Sequence, residues 1–169
     1  MDSIFLIGPM GSGKTAVGRR LAKDLGCAFF DSDAEIESRT GVDIAYIFEK
    51  EGEAGFRRRE AEVISELTEH ADTVLATGGG AVLASENREA LESRGTVVYL
   101  HATVAEQLKR TRRVKNRPLL KGDDRSQILE DLLAIRDPLY RSIADLIVET
   151  DGRVVAAVAG EIRQWLAGG

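Results

Sequence analysis

A glycine-rich motif near the amino terminus limits what this chain can fold into more than any other feature. Residues Gly8–Thr15, with the sequence GPMGSGKT, follow directly on the apolar run Ile4–Ile7. They match the phosphate-binding pattern G-x-x-x-x-G-K-[ST], which requires a strand before it and a helix after it. Glycines let backbone N–H groups surround an anion, and the positive end of the following helix points at the same place. The motif therefore predicts an α/β fold that holds a nucleoside triphosphate.

Individual residues of the motif have separate expected roles. Lys14 brings a positive charge to the β- and γ-phosphates, and Thr15 brings a hydroxyl group that can bind Mg²⁺. The residues expected to contact the nucleotide in this loop are Gly11, Ser12, Gly13, Lys14, Thr15 and Ala16. The motif alone does not say what is done with the nucleotide.

Further apolar runs along the chain indicate a parallel sheet. They are Cys27–Phe30, Thr73–Ala76, Thr96–Leu100 and Leu146–Val148. Each is nearly continuous rather than alternating, as in strands that are covered on both faces. Helical patterns lie between the runs, which favours right-handed crossovers in a three-layer α/β fold. We predict a single domain over residues 1–169.

Charge and cysteine content exclude several classes of protein. The formal net charge of −5 disfavours a general nucleic-acid-binding role. A single cysteine, Cys27, excludes an internal disulfide framework and fits a reducing compartment. No apolar run approaches the ~18 residues of a membrane span. We therefore expect a cytoplasmic protein with neither a nucleic acid nor a membrane as its partner.

Two segments interrupt the alternation of strands and helices. Residues 34–60 are mostly helical in pattern, and we predict that they form an insertion covering one side of the strand ends. Residues 112–125 are dense in charge and contain Pro118 and Gly122. They form either a solvated loop or a lid that carries cations over the phosphates. The phosphate-binding motif in the same chain favours the lid.

Two acidic residues follow the second predicted strand. Asp31 and Asp33 lie where a parallel sheet binds ligands, at the carboxyl end of a strand. An acid beside a metal–nucleotide complex binds the cation or a hydroxyl group of the acceptor. Alternatively, Asp33 or Ser32 caps a helix that begins near Ala34, and capping is compatible with catalysis.

A third candidate lies in the basic run Arg57–Arg59. Arg57 shares a helical stripe with Ala61 and Ile64, so it is expected to face inward. Glu60 also lies on an inward stripe and needs a partner, for which Arg57 is the obvious choice. A fixed inward guanidinium suits bidentate binding of a carboxylate.

Two further patterns are ambiguous by themselves. Gly78, Gly79 and Gly80 follow the third predicted strand, where they form a tight turn or allow a ligand to approach the backbone closely. Their position at a strand end favours the ligand. Arg136 precedes Asp137-Pro138, where we expect a helix to stop. There it is either a partner of the helix dipole or a binding residue.

Taken in order along the chain, these motifs resemble those of the shikimate kinase family. The motifs that carry the resemblance are the phosphate-binding loop, Asp31-Ser32-Asp33, Gly55-Phe56-Arg57, Thr77-Gly78-Gly79-Gly80, Arg117-Pro118-Leu119-Leu120 and Arg136-Asp137-Pro138-Leu139-Tyr140. The resemblance implies phosphoryl transfer from ATP to the 3-hydroxyl of shikimate, on the route to the aromatic amino acids. It also implies a five-stranded parallel sheet in the order 2-3-1-4-5, with a substrate-binding insertion and a lid.

The resemblance assigns the acceptor side of the site. Asp33 resembles the acid that binds shikimate hydroxyls and accepts the proton. Arg57 and Arg136 resemble the pair that grips the carboxylate, and Gly79 and Gly80 line the same pocket, together with Gly78. The implied partners are ATP and shikimate, and we expect a monomer.

The resemblance assigns the donor side as well. Arg117 resembles the lid arginine that reaches the transferring phosphoryl group. Thr15 and, through water, Asp31 would hold Mg²⁺. Arg110 resembles an arginine that stacks on adenine, and Arg153 lies where the family's adenine-side loop contacts ATP. The implied catalytic residues are Asp33, Lys14 and Arg117.

Two alternative functions follow from the same features. A kinase of this architecture can act on another small acceptor, such as gluconate or a nucleoside monophosphate. A nucleotide-dependent switch would need an Asp-x-x-Gly motif after the third strand, but Thr77-Gly78-Gly79-Gly80 stands there instead. The switch is therefore disfavoured.

Overall fold

Five parallel strands form the centre of the molecule in a computed structural model that describes residues 1–111 and 124–168. The strands are β1 (Ile4–Ile7), β2 (Ala28–Asp31), β3 (Thr73–Ala76), β4 (Thr96–His101) and β5 (Leu146–Glu149). Their order in the sheet is β2-β3-β1-β4-β5, and all four pairings are parallel. The predicted fold class and strand order are confirmed.

Helices cover both faces of this sheet. They are α1 (Lys14–Leu25), α2 (Ser32–Thr40), α3 (Ile44–Leu67), α4 (Ser85–Arg94), α5 (Val104–Thr111), α6 (Arg125–Ile143) and α7 (Val155–Gly168). On the central strand, Phe5 and Ile7 point into a core formed with α3, α4 and α6, whereas Ile4 and Leu6 point into a core formed with α1 and α7. All four side chains are fully buried. This double burial explains why the strand is apolar throughout.

The start of α2 differs from the expected capping pattern. The helix begins at Ser32, and the Asp31 carboxylate accepts a hydrogen bond of 3.0 Å from the Ala34 N–H. Asp31 is therefore the N-cap, and the alternative that Asp33 or Ser32 caps this helix is wrong. Because Asp33 lies within the first turn of the helix, its carboxylate is not needed for the cap.

The helix that contains Arg136 also differs from expectation. We expected it to stop before Pro138, but α6 continues through Pro138 to Ile143. A proline inside a helix removes one hydrogen bond and usually costs about 3 kcal/mol. Continuing the helix buries Tyr140 and Ile143 in the core, which offsets that cost.

Residues 34–60 contain no strand, as expected, and α2 and α3 lie across this segment. Helix α3 is interrupted at Gly52, whose φ of 73° and ψ of 178° are not helical. Arg59 spans the interruption by a two-point ion pair with Glu51, at 2.9 and 2.8 Å. Of the expected lid, residues 112–123 lie outside the described residues. Arg125, which begins α6, donates a hydrogen bond of 2.9 Å to the Thr111 carbonyl.

Within residues 1–111 and 124–168, none of the helices is both long and apolar enough to cross a membrane.

Candidate active site

The phosphate-binding loop connects β1 to α1. Gly13 is the N-cap of α1 and has a left-handed φ of 92°, which a side chain would disfavour. Ser12 is buried. Lys14 donates hydrogen bonds to the carbonyls of Gly8 and Pro9, at 2.6 and 2.9 Å. These bonds hold the ammonium group against the loop, next to the place where phosphates would bind.

A cavity of about 270 Å³ lies over the carboxyl ends of β1, β2 and β3. Its walls come from three segments that are far apart in sequence. The residues that line it are Met10, Gly11, Gly13, Lys14, Thr15, Ala16, Asp31, Asp33, Thr77, Gly78 and Gly79. The structure therefore brings the phosphate-binding loop, the two acidic residues and the glycine segment to one place, as the parallel sheet requires.

Two oxygen ligands suited to a hard cation meet at one edge of this cavity. The Thr15 hydroxyl donates a hydrogen bond of 2.7 Å to Asp31 Oδ2. Within the described residues, no cluster of three or more His, Cys, Asp or Glu side chains could hold a metal. This donor set fits Mg²⁺, which keeps several waters and binds through one or two protein oxygens and the substrate phosphates.

Asp33 lies directly against the glycine segment in the lining of the cavity. A Cβ atom added to Gly78 would lie 2.7 Å from Asp33 Oδ1 and 3.0 Å from Glu60 Oε2. Beside it, the Gly78 N–H donates a hydrogen bond of 3.1 Å to the Ser32 hydroxyl. The missing side chain at Gly78 therefore makes room for two carboxylates, and Ser32 ties β3 to the start of α2.

Arg57 and Glu60 form the inward pair that helix geometry predicts. Arg57 Nη1 lies 3.0 Å from Glu60 Oε1, and the Glu60 side chain is only 1% exposed. Burial raises the pKa of the Glu60 carboxyl, and the Arg57 guanidinium acts in the opposite direction. A carboxylate buried in this way fixes the orientation of the guanidinium.

The glycine segment also contacts both arginines. A Cβ at Gly80 would lie 2.6 Å from Arg57 Cζ, and a Cβ at Gly79 would lie 3.5 Å from Arg136 Nη1. Arg136 is 5% exposed and forms no ion pair within the described part of the chain. Burial lowers the pKa of Arg136, and its repulsion from Arg57 lowers it further. Two guanidinium groups so close together are suited to an anion between them.

Tyr140 is a residue of this site that sequence reasoning missed. It is fully buried, and its hydroxyl donates a hydrogen bond of 2.5 Å to the Gly79 carbonyl. It lies one turn after Arg136 on the same face of α6. The i, i+4 spacing was the available signal, but the expectation that the helix ends before Pro138 concealed it.

Arg110 and Arg153 meet at the loop after β5. Arg110 donates to the Gly11 carbonyl at 2.9 Å and to the Thr150 carbonyl at 2.7 Å. Arg153 donates through its backbone N–H to the same Thr150 carbonyl and pairs with Glu161 at 3.0 Å. Arg110 thus lies beside the phosphate-binding loop, and Arg153 is joined to Arg110 through the Thr150 carbonyl. Their expected contacts with adenine stay predictions, and Arg117 lies outside the described residues.

A parallel sheet in this order, with a phosphate-binding loop after its central strand, defines the class of phosphate-loop kinases. The family model for shikimate kinase matches residues 10–167. The chain belongs to the shikimate kinase family. It is an ATP-dependent kinase, and this activity implies a divalent metal.

The similarity to known proteins covers nearly the whole chain. The shikimate kinase of Pseudomonas syringae pathovar tomato is 56% identical over 167 residues, covering 99% of this chain and 97% of that protein. The shikimate kinase of Methylococcus capsulatus is 62% identical over 148 residues, which cover 88% of this chain and 83% of that protein. The solved shikimate kinase of Acinetobacter baumannii in complex with shikimate superposes with a TM-score of 0.98 at 54% identity, covering 99% of this chain and 94% of that one. These relatives support shikimate kinase and not the alternative acceptors.

Proposed function

We propose that the chain transfers the γ-phosphoryl group of ATP to the 3-hydroxyl of shikimate in the cavity described above. The observation that carries this proposal is the meeting of Asp33, Arg57 and Arg136 around the glycine segment, next to Lys14. One side of this site suits a polyphosphate. The other side suits an acceptor that has both hydroxyl groups and a carboxylate.

The donor side of the proposal rests on the loop and on α1. Gly11, Gly13 and Ala16 place backbone N–H groups around the phosphates, and Lys14 turns its ammonium group from the Gly8 and Pro9 carbonyls to the phosphate oxygens. Arg110 and Arg153 form the adenine side. Arg117 is proposed to reach the transferring group from the lid.

Thr15 and Asp31 are proposed to hold Mg²⁺, directly and through water respectively. When bound, Mg²⁺ neutralises charge on the β- and γ-phosphates. The two residues supply oxygen atoms only, in keeping with a cation that binds mostly to water and phosphate. The Asp31 carboxylate also caps α2, so its position is set before any metal binds.

The acceptor side uses opposite charges to orient the substrate. Arg57 and Arg136 grip the carboxylate of shikimate, and Gly78, Gly79 and Gly80 let its ring approach the backbone. The 3-hydroxyl oxygen of shikimate bonds to the γ-phosphorus, and Asp33 accepts the proton of this hydroxyl. The bond between the γ-phosphorus and the bridging oxygen breaks, and ADP leaves with that oxygen. Positioning and charge stabilisation contribute most to this kind of reaction.

We also propose that the protein acts in the cytoplasm as a monomer. One cysteine fits a reducing cytoplasm, and a net charge of −5 disfavours a nucleic acid as a partner. The expectation of a monomer stays a prediction.

The direct test of this function is an acceptor panel. ADP release is measured by a coupled assay with ATP and shikimate, gluconate or a nucleoside monophosphate. We expect turnover with ATP and shikimate, and none with gluconate or a nucleoside monophosphate. Equal turnover with gluconate would show that the clamp recognises any carboxylate, and no turnover with shikimate would refute the proposal.

Arg57→Lys is expected to raise the KM for shikimate about 10-fold and to leave the KM for ATP unchanged. Lysine keeps the positive charge but loses the planar pair of donors that matches a carboxylate. Steady-state kinetics with each substrate varied in turn checks this. Arg59→Lys is the matched control, because Arg59 pairs with Glu51 at 2.8 Å instead. An unchanged KM for shikimate in Arg57→Lys would exclude Arg57 from the clamp.

Tyr140→Phe is expected to raise the KM for shikimate several-fold, without change in the KM for ATP. The substitution keeps the aromatic ring in the core but leaves the Gly79 carbonyl without its 2.5 Å donor. A lost neutral hydrogen bond costs about 0.5–1.5 kcal/mol, or roughly 2–13-fold. Tyr46→Phe, at a half-exposed tyrosine, is the control. If both KM values rise together, Tyr140 supports the whole fold rather than the acceptor pocket.

A further inference from the structure

Glu53 is an exposed carboxylate at the edge of the arginine clamp, which consists of Arg57 and Arg136. Glu53 Oε1 lies 3.3 Å from Arg57 Nη2, and its side chain is 53% exposed. Glu60 occupies the other end of the same guanidinium and is almost completely buried. The two carboxylates therefore divide Arg57 between them, and only Glu53 is free to move into solvent.

The charge of Glu53 also acts on the rest of the clamp. Burial lowers the pKa of Arg136, and the Glu53 carboxylate is one of the groups that oppose this effect. Burial raises the pKa of Glu60, and the like charge of Glu53 raises it further. A carboxylate that influences Arg57, Arg136 and Glu60 together lies close to the point where an acceptor carboxylate would be bound.

The position of Glu53 matters for the charge balance of the arginine clamp. Arg57 and Arg136 repel each other, and Glu53 with Glu60 supplies two negative charges against their two positive charges. An acceptor carboxylate that entered this set would add a third negative charge beside Glu53. If Glu53 turns outward as the acceptor enters, the group stays neutral and the Nη2 donors of Arg57 become available.

We propose that Glu53 is a stand-in for the acceptor carboxylate: Glu53 pairs with Arg57 when no acceptor is bound and is displaced when the acceptor binds. This inference rests on the proposed function, because it takes the carboxylate of shikimate to bind at Arg57 and Arg136. Glu53 then contributes to specificity, since only an anionic acceptor replaces the ion pair that it breaks.

The direction in which shikimate affinity changes when Glu53 is replaced separates a competitor of the substrate from a residue that supports the site. Removing a competitor strengthens binding, whereas removing a support weakens it. Glu53→Gln takes away the negative charge and keeps the size of the side chain. An exposed ion pair is weak, so the dissociation constant of shikimate is expected to fall by about 2–5-fold.

The experiment is titration calorimetry of shikimate binding without nucleotide, on the wild-type protein, Glu53→Gln and Glu51→Gln. Glu51 is the matched control because it is an exposed glutamate of the same helix that pairs with Arg59. We expect tighter binding in Glu53→Gln alone. The uncharged methyl ester of shikimate should bind wild type and Glu53→Gln equally, because it carries no charge to compete with Glu53.

The outcomes test the stand-in role of Glu53 separately from the proposed function. If wild type binds shikimate and Glu53→Gln binds it equally or more weakly, the stand-in is refuted and the proposed function is untouched. Tighter binding of the methyl ester in Glu53→Gln would also refute it, since relief of charge competition would not be the cause. A wild-type protein that turns shikimate over in the acceptor panel but does not bind it without nucleotide refutes this inference and leaves the proposed function standing. Failure of both measurements refutes both.

Discussion

Asp33→Asn is expected to lower kcat with shikimate by about 10²–10⁴-fold, the range that general acid–base groups contribute. Asparagine has the shape of aspartate but does not accept the proton from the 3-hydroxyl. The structure makes this a clean test, because Asp31 and not Asp33 caps α2. The substitution therefore removes a carboxylate from the cavity without removing a helix cap.

The measurement is steady-state kinetics, with thermal unfolding to show that the fold is kept. Asp43→Asn is the matched control, because Asp43 caps α3 through a 2.8 Å hydrogen bond to the Tyr46 N–H and lies outside the cavity. Asparagine caps helices about as well as aspartate, so its kcat should equal that of wild type. A near-normal kcat in Asp33→Asn would show that Asp33 only orients the hydroxyl group or has no part in the reaction.

Gly80→Ala is expected to raise the KM for shikimate by about 10–100-fold. The backbone of Gly80, with φ of −95° and ψ of 6°, accepts alanine. The new methyl carbon would, however, lie 2.6 Å from Arg57 Cζ, well inside contact distance. The guanidinium must then move away, and charge-assisted hydrogen bonds worth about 1.5–3 kcal/mol are lost from the acceptor.

Kinetics with each substrate varied checks this expectation, and the KM for ATP should stay the same. Gly160→Ala in α7 is the control, because a Cβ there meets no atom within 4 Å. That variant should keep both KM values and gain about 0.5–1 kcal/mol of stability, since glycine disfavours a helix interior. If Gly80→Ala also keeps its KM for shikimate, the guanidinium of Arg57 is not needed where the structure places it.

The sheet and the phosphate-binding loop were predictable because their signals are local. A buried parallel strand must be apolar throughout, and Ile4–Ile7, Thr73–Ala76 and Thr96–His101 are so along nearly their whole length. The pairing of Arg57 with Glu60 was predictable too, since both lie on inward stripes of one helix. These inferences need only helix and strand periodicity.

Other features depend on contacts between distant segments and left no such signal. The i, i+4 spacing places Tyr140 on the helix face of Arg136, but nothing near Tyr140 in sequence shows that its hydroxyl reaches Gly79, 61 residues away. Pro138 gave a misleading local signal, because the propensity of proline to end helices is overridden by burial of the turn that follows it. Glu53 was missed because an exposed glutamate in a charged helix is ordinary, and only the position of Arg57 gives it significance.

The hydrogen bonds that complete the site also link folding to ligand binding. Arg110 joins α5 to Gly11, 99 residues away, and Tyr140 joins α6 to the glycine segment. The first bond requires α5 and the segment after β1 to be in place, and the second requires α6 and the segment after β3. The pocket therefore assembles only after the long-range contacts of the sheet have formed. A partly folded chain would therefore have no acceptor site. Substrate that binds only the complete fold stabilises all of it at once, by about 2.7 kcal/mol at a concentration 100 times the dissociation constant.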